Sequence, residues 1–148
     1  MKQLLLLVAI VTTLSGCVVM VPGRLYPIQG PLAGQTPAPI YKVTISGVFK
    51  SGSMSATLPD GEVCSGSWAA VGQNDPAPNK MSADWDQVFG QGYFVANVLG
   101  APVRARAVLS GPKGTTLDVE FYDPHPGHIE SVVGVARDNT GDLFKLTF

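Results

Sequence analysis

The 148-residue chain carries 10 Lys and Arg against 11 Asp and Glu, a formal charge of −1, and is 45% hydrophobic. That balance excludes an intrinsically disordered chain, a basic nucleic-acid-binding surface and a multi-span membrane protein, and the length fits one small domain. The 17 glycines and 12 prolines, which follow no triplet period, favour short strands joined by turns over long helices.

At the N-terminus, Met1-Lys2-Gln3 supplies a positive side chain, Leu4 to Thr13 is an almost unbroken apolar stretch, and Leu14-Ser15-Gly16-Cys17 closes it with small residues. A bilayer span needs about 20 apolar residues, so residues 1–16 read as an export signal and not as a permanent membrane helix. The four closing residues resemble the lipobox of bacterial lipoprotein precursors, and the mature chain resembles small proteobacterial envelope lipoproteins. This resemblance implies cleavage before Cys17, which then carries a thioether-linked diacylglyceryl group and an amide-linked acyl chain, with no other cofactor. Each buried methylene contributes about 0.8 kcal/mol, so two or more chains anchor stably where one is marginal. Val18 follows the cysteine where lipoproteins retained at the inner membrane commonly carry aspartate. By resemblance, the address is therefore the outer membrane, facing the periplasm. The alternative is an ordinary secretory peptide with an incidental cysteine.

Lipidation of Cys17 leaves Cys64 without an intramolecular disulfide partner. It reads as a buried thiol on the strand face it shares with Trp68, the alternative being a reactive or intermolecular thiol. Loss of Lys2 with the signal leaves 9 basic and 11 acidic residues, a formal charge of −2 and no strong field.

Residues 17–40 read as a tether, because Pro22, Pro27, Pro31, Pro37 and Pro39, with Gly23, Gly30 and Gly34, oppose both helix and central strand. The embedded Arg24 to Ile28 leaves open a second reading, a segment docked on the domain or on a partner. From Tyr41 the pattern has period two, with Tyr41, Val43, Ile45 and Phe49 on one face of a strand. Hairpins follow around Pro59–Glu62, Ser110–Gly114 and Asp138–Gly141. Gly61, Gly114 and Gly141 lie 53 and 27 residues apart, and seven residues after each stands an inward aromatic: Trp68, Phe121 and Phe148. Between the first two hairpins, residues 72–80 read as a polar loop, residues 82–89 as a short helix capped by Ser82, and Tyr93 to Leu99 as a further strand. The expected fold is all-β over residues 41–148. It is a single antiparallel meander of about seven or eight strands, closed or curled into a small barrel or sandwich, with one short helix.

The local cluster of acid-base and metal-capable side chains holds both histidines, in Asp123-Pro124-His125-Pro126-Gly127-His128-Ile129-Glu130. Two imidazoles flanking a Pro-Gly bend, with Asp123 or Glu130 as oxygen donors, fit a zinc-like ion, whereas the same residues also describe a solvated hairpin connection. Asp84 and Asp86 flank Trp85, superficially like a sugar site. On a helix, however, positions i and i+2 diverge, which favours a core-anchoring Trp85 with both carboxylates in water. Arg104 and Arg106 share one strand face as a small basic patch. With Trp85 they are the candidate partner-binding residues.

No set of residues makes a catalytic motif. The leading expectation is a non-enzymatic, lipid-anchored binding or assembly module with an envelope protein partner and no nucleic acid. The alternatives are a periplasmic metal-binding or hydrolytic domain using His125 and His128, and an enzyme inhibitor acting through residues 72–80.

Overall fold

The computed structural model describes residues 19–148 apart from Phe49, Gln73 and Asn74, and within them the side chain of Val48 is also not described. The expected export signal over residues 1–16, the expected lipidation site Cys17 and the expected inward placement of Phe49 therefore lie outside the described residues.

Eight strands form a closed antiparallel barrel in simple sequence order: β1 (Met20–Gln29), β2 (Tyr41–Val48), β3 (Ser51–Thr57), β4 (Val63–Ala70), β5 (Arg104–Ser110), β6 (Thr116–Tyr122), β7 (Val133–Asp138) and β8 (Leu143–Thr147). One helix, α1 (Ser82–Phe89), and a single wide π-type turn at Phe94–Val98 sit in the long β4–β5 connection. Closure decides between the two expected architectures in favour of the barrel. It also removes the exposed edges that an open meander would leave.

The strand that closes the ring is the one the sequence disguised. Residues 20–29 are not a tether: β1 pairs with β2 from Met20↔Ser46 to Leu25↔Tyr41, and with β8 from Arg24↔Thr147 to Gln29↔Leu143. Its prolines fall where a missing N–H does least harm. The ladder to β8 reaches only as far as Arg24, so Pro22 is paired on one side alone, and Pro27 adjoins a register shift. Gly23 admits the Phe148 ring, since a Cβ there would stand 2.7 Å from its Cδ1.

Alternation then fills the interior. Leu25, Tyr41, Val43, Ile45, Met54, Ala56, Cys64, Ala107, Leu109, Leu117, Val119, Phe144 and Leu146 make one buried cluster. Gly66 also faces inward, where a Cβ would lie 2.1 Å from the Val108 carbonyl oxygen, so the wall can bend there only without a side chain. The three aromatics of the repeat converge. Trp68 meets Phe121 edge-on at 5.7 Å between ring centroids, and Phe121 meets Phe148 at 6.3 Å.

The two ends of the barrel differ. The terminal rim holds the start of β1, the end of β8 and the junctions β2–β3, β4–β5 and β6–β7. The turn rim holds the loop 30–40 and the turns β3–β4, β5–β6 and β7–β8. Gly61, Gly114 and Gly141, with φ of 84°, 93° and 94°, supply the left-handed residue of those three turns.

The expected strand over Tyr93–Leu99 is a helical turn instead. Asp86 Oδ1 accepts the Phe94 backbone N–H at 2.9 Å, and Phe94 and Val98, four residues apart, are both buried. Helix α1 spans the expected residues, but its cap is Met81, with no side-chain capping bond from Ser82. Among the described residues no helix is long and apolar enough to cross a membrane.

Candidate functional site

Helix α1 and the Phe94–Val98 turn lie against the outside of the barrel and create a second apolar cluster of Met81, Trp85, Phe94, Val98, Tyr122 and Val135. Strands β6 and β7 are consequently buried on both faces. Trp85 has no solvent exposure and packs against both Phe89 and Tyr93, with centroids at 5.4 and 6.1 Å, while those two rings stack on each other at 4.6 Å. It offers no surface to a partner and acts as the anchor of the helix.

Beneath this cluster sits a buried charge network. Glu120, on the outer face of β6, is fully buried, and its Oε1 accepts the Trp85 indole N–H at 2.8 Å. Its Oε2 accepts Arg106 Nη2 at 3.0 Å. Arg106 continues to Asp75 Oδ2 at 3.2 Å and to the Ala77 carbonyl at 3.0 Å, while Arg104 donates to the Pro78 carbonyl and lies 5.5 Å from the Phe94 ring centroid. The two arginines share one outward face, as the alternation required. They are nonetheless not a solvated patch available to a partner, because the segment 75–78 folds over them and uses their donors. Arg104 Nη1 is buried with no hydrogen-bond partner among the described residues.

The two aspartates beside Trp85 have separate structural tasks, so no paired carboxylate site forms. Asp84 Oδ1 accepts Arg137 Nε at 2.8 Å, fastening α1 to β7. The backbone N–H groups of Phe94 and Gly92 hold the Asp86 carboxyl below its ordinary range. Tyr93 and Tyr122 hydroxyls meet at 2.9 Å. Burial, then that hydrogen bond, pushes the Tyr122 phenol well above its usual value.

The histidine segment joins β6 to β7 on the terminal rim. Asp123 is occupied with the turn itself, accepting the His125 backbone N–H at 2.9 Å and the Ser131 hydroxyl at 2.8 Å. His128 Nδ1 lies 3.5 Å from Glu130 Oε1, with both side chains about 70% exposed. His125, His128, Glu130 and Ser131 line one shallow depression. Among the described residues, no group of three His, Cys, Asp or Glu side chains is arranged to hold a metal ion.

At the turn rim, buried carboxylates stitch neighbouring turns together, a role the sequence did not announce. Glu62 accepts the Lys113 backbone N–H and the Thr115 hydroxyl, each at 2.7 Å, linking the β3–β4 and β5–β6 turns. Asp142 Oδ1 accepts the Leu32 backbone N–H at 2.8 Å, pinning the loop 30–40 to the β7–β8 turn. On the exposed side of the β3–β4 and β5–β6 turns, Asp60 and Lys113 form an ion pair at 2.8 Å that lowers the carboxyl and raises the ammonium pKa. Burial, then the charges of Asp138 and Asp142, pushes the Tyr41 phenol up to about 12. Cys64 is buried inside the barrel, with its thiol pushed up by burial and by Glu62, so it has the environment of a structural thiol.

The fold and these contacts define a small up-and-down antiparallel barrel with a filled interior and one helical excursion on its outer wall. Compared with protein-family models, with curated proteins and with solved structures, the chain matches none.

Proposed function

We propose that the chain is a lipid-anchored, non-enzymatic binding or assembly module of the cell envelope, attached at Cys17 and working through an envelope protein partner. The observation that carries this reading is the sequence Leu14-Ser15-Gly16-Cys17 after the apolar stretch Leu4–Thr13. The barrel interior supports it, because apolar side chains fill the space where a ligand-carrying barrel keeps a cavity, leaving contacts to the outer surface. Anchoring confines such a surface to a thin layer at the membrane, where effective concentration makes modest contacts sufficient.

The test is mass spectrometry of the membrane fraction and its co-purifying proteins after expression of the full precursor in a Gram-negative host, beside Cys17→Ala. Lipid mass on Cys17 with a reproducible partner lost in the variant is the expected result. An unlipidated soluble product overturns the reading.

The depression shared by His125, His128 and Glu130 favours a second reading, a metal-binding or hydrolytic domain. Calorimetric titration with zinc separates the two. The module reading expects the same heats for the native chain and for His125→Ala combined with His128→Ala, whereas saturable binding lost in that variant would establish the metal reading.

A further inference from the structure

The rim that receives the chain from Cys17 is also studded with exposed apolar side chains. Val19, Met20, Val103 and Ile129 are 70%, 69%, 40% and 44% exposed. Their common placement follows from the strand ends: Met20 begins β1, the Val103 carbonyl accepts the Asp123 N–H at 3.0 Å across the β5–β6 end, and Ile129 lies in the β6–β7 connection. The turn rim has exposed apolar residues of its own in Ile28, Ile40 and Val63, so exposure alone does not choose an end. The anchor chooses it. Val19 follows Cys17 by two residues, and at no more than about 3.6 Å per residue the lipidated cysteine stays within roughly 7 Å of the rim.

Charge is mixed at both rims and leaves that choice to the anchor: the turn rim has Asp60 and Glu62 beside Lys113 with Asp138 and Asp142 in a neighbouring turn, and the terminal rim has exposed Glu130 beside Ile129. The wall between the rims cannot lie in the hydrocarbon, since its outward residues include Lys42, Thr44, Ser46, Ser53, Ser55 and Ser65, the reverse of a membrane-spanning barrel.

We infer that the barrel stands on its terminal rim against the lipid surface, with Val19, Met20, Val103 and Ile129 in the headgroup layer and the turn rim directed away from it. This rests on the lipid-anchored reading. With no long spacer, the turn rim stands on the order of 20 Å above the lipid, the length of a short strand. The face offered to a partner is therefore the turn rim and the upper wall.

The experiment uses the lipidated full chain in a Cys64→Ala background, reconstituted in phosphatidylcholine and phosphatidylglycerol vesicles that contain brominated lipid. Single substitutions Val103→Cys, Ile129→Cys, Ile40→Cys and Val63→Cys, all at exposed positions, each carry a thiol-linked fluorophore. Fluorescence loss at Val103 and Ile129, with none at Ile40 and Val63, is the expected result. Equal loss at both rims, or greater loss at the turn rim, overturns the orientation while leaving the anchor standing. Absence of lipid mass on Cys17 in the same preparation overturns the anchor, and the orientation with it.

Discussion

Glu120 is a charged residue on the outer wall with no exposure to water, and Arg106 and Trp85 are what make that tolerable. Removing one member of a buried ion pair costs about 3–5 kcal/mol, because the other charge stays desolvated. Arg106→Ala should therefore lower the unfolding free energy measured by urea denaturation by an amount in that range. Adding Glu120→Gln should recover part of the loss, since the stranded carboxylate charge is then gone while the amide oxygen still accepts the Trp85 indole N–H. A double variant no more stable than the single one would place the cost in the loop 75–78 instead. Tyr41 gives a pH signature. Its folded phenol, pushed up to about 12 from 10.0, favours the neutral form, so its contribution to stability is complete below pH 10 and is lost as pH rises through 12. Melting temperature measured through the alkaline range should fall across that window, and Tyr41→Phe should flatten the fall.

At the scale of elements, β1 carries the sharpest consequence. If residues 17–40 were a tether, the fragment 41–148 would fold alone. Because β1 closes the ring between β2 and β8, deleting Met20–Gln29 exposes two long strand edges and opens the apolar interior. The fragment should lose near-ultraviolet circular dichroism and aggregate, whereas a native-like spectrum would contradict closure by β1. The other seven strands were legible because one face of each is apolar at period two. The three hairpin turns were legible because glycine is needed where φ is positive, as at Gly61, Gly114 and Gly141. β1 was not, since Pro22 and Pro27 argue against a strand and only the end of one ladder and a bulge in the other reveal why they are harmless. Phe94 and Val98 fit a helix at i and i+4 as well as a short apolar strand, and Asp86, eight residues before Phe94, decides between them. The outward face shared by Arg104 and Arg106 was readable from alternation. That residues 75–78 would cover them was not, because nothing local in a polar loop encodes the surface it folds onto.

The whole molecule is a meander whose neighbours in space are neighbours in sequence, except at the seam, where Arg24 meets Thr147. Pairing within hairpins closes short loops, but joining β1 to β8 constrains nearly the entire chain, and its entropy is repaid only when the other pairings already hold the ends near one another. The seam should form last. Leu25 is fully buried in β1 and pairs with Leu146 across it, so it reports on that step. Leu25→Ala should cost about 2–5 kcal/mol, as large-to-small core substitutions do. If closure follows the transition state, nearly all of that loss appears as faster unfolding with the folding limb unchanged, which stopped-flow chevrons with and without the substitution would measure. A folding rate that falls in proportion to the lost stability would instead put the seam in the nucleus. The proline-bearing strand would then be an initiator of the barrel, and the hairpins would assemble onto it.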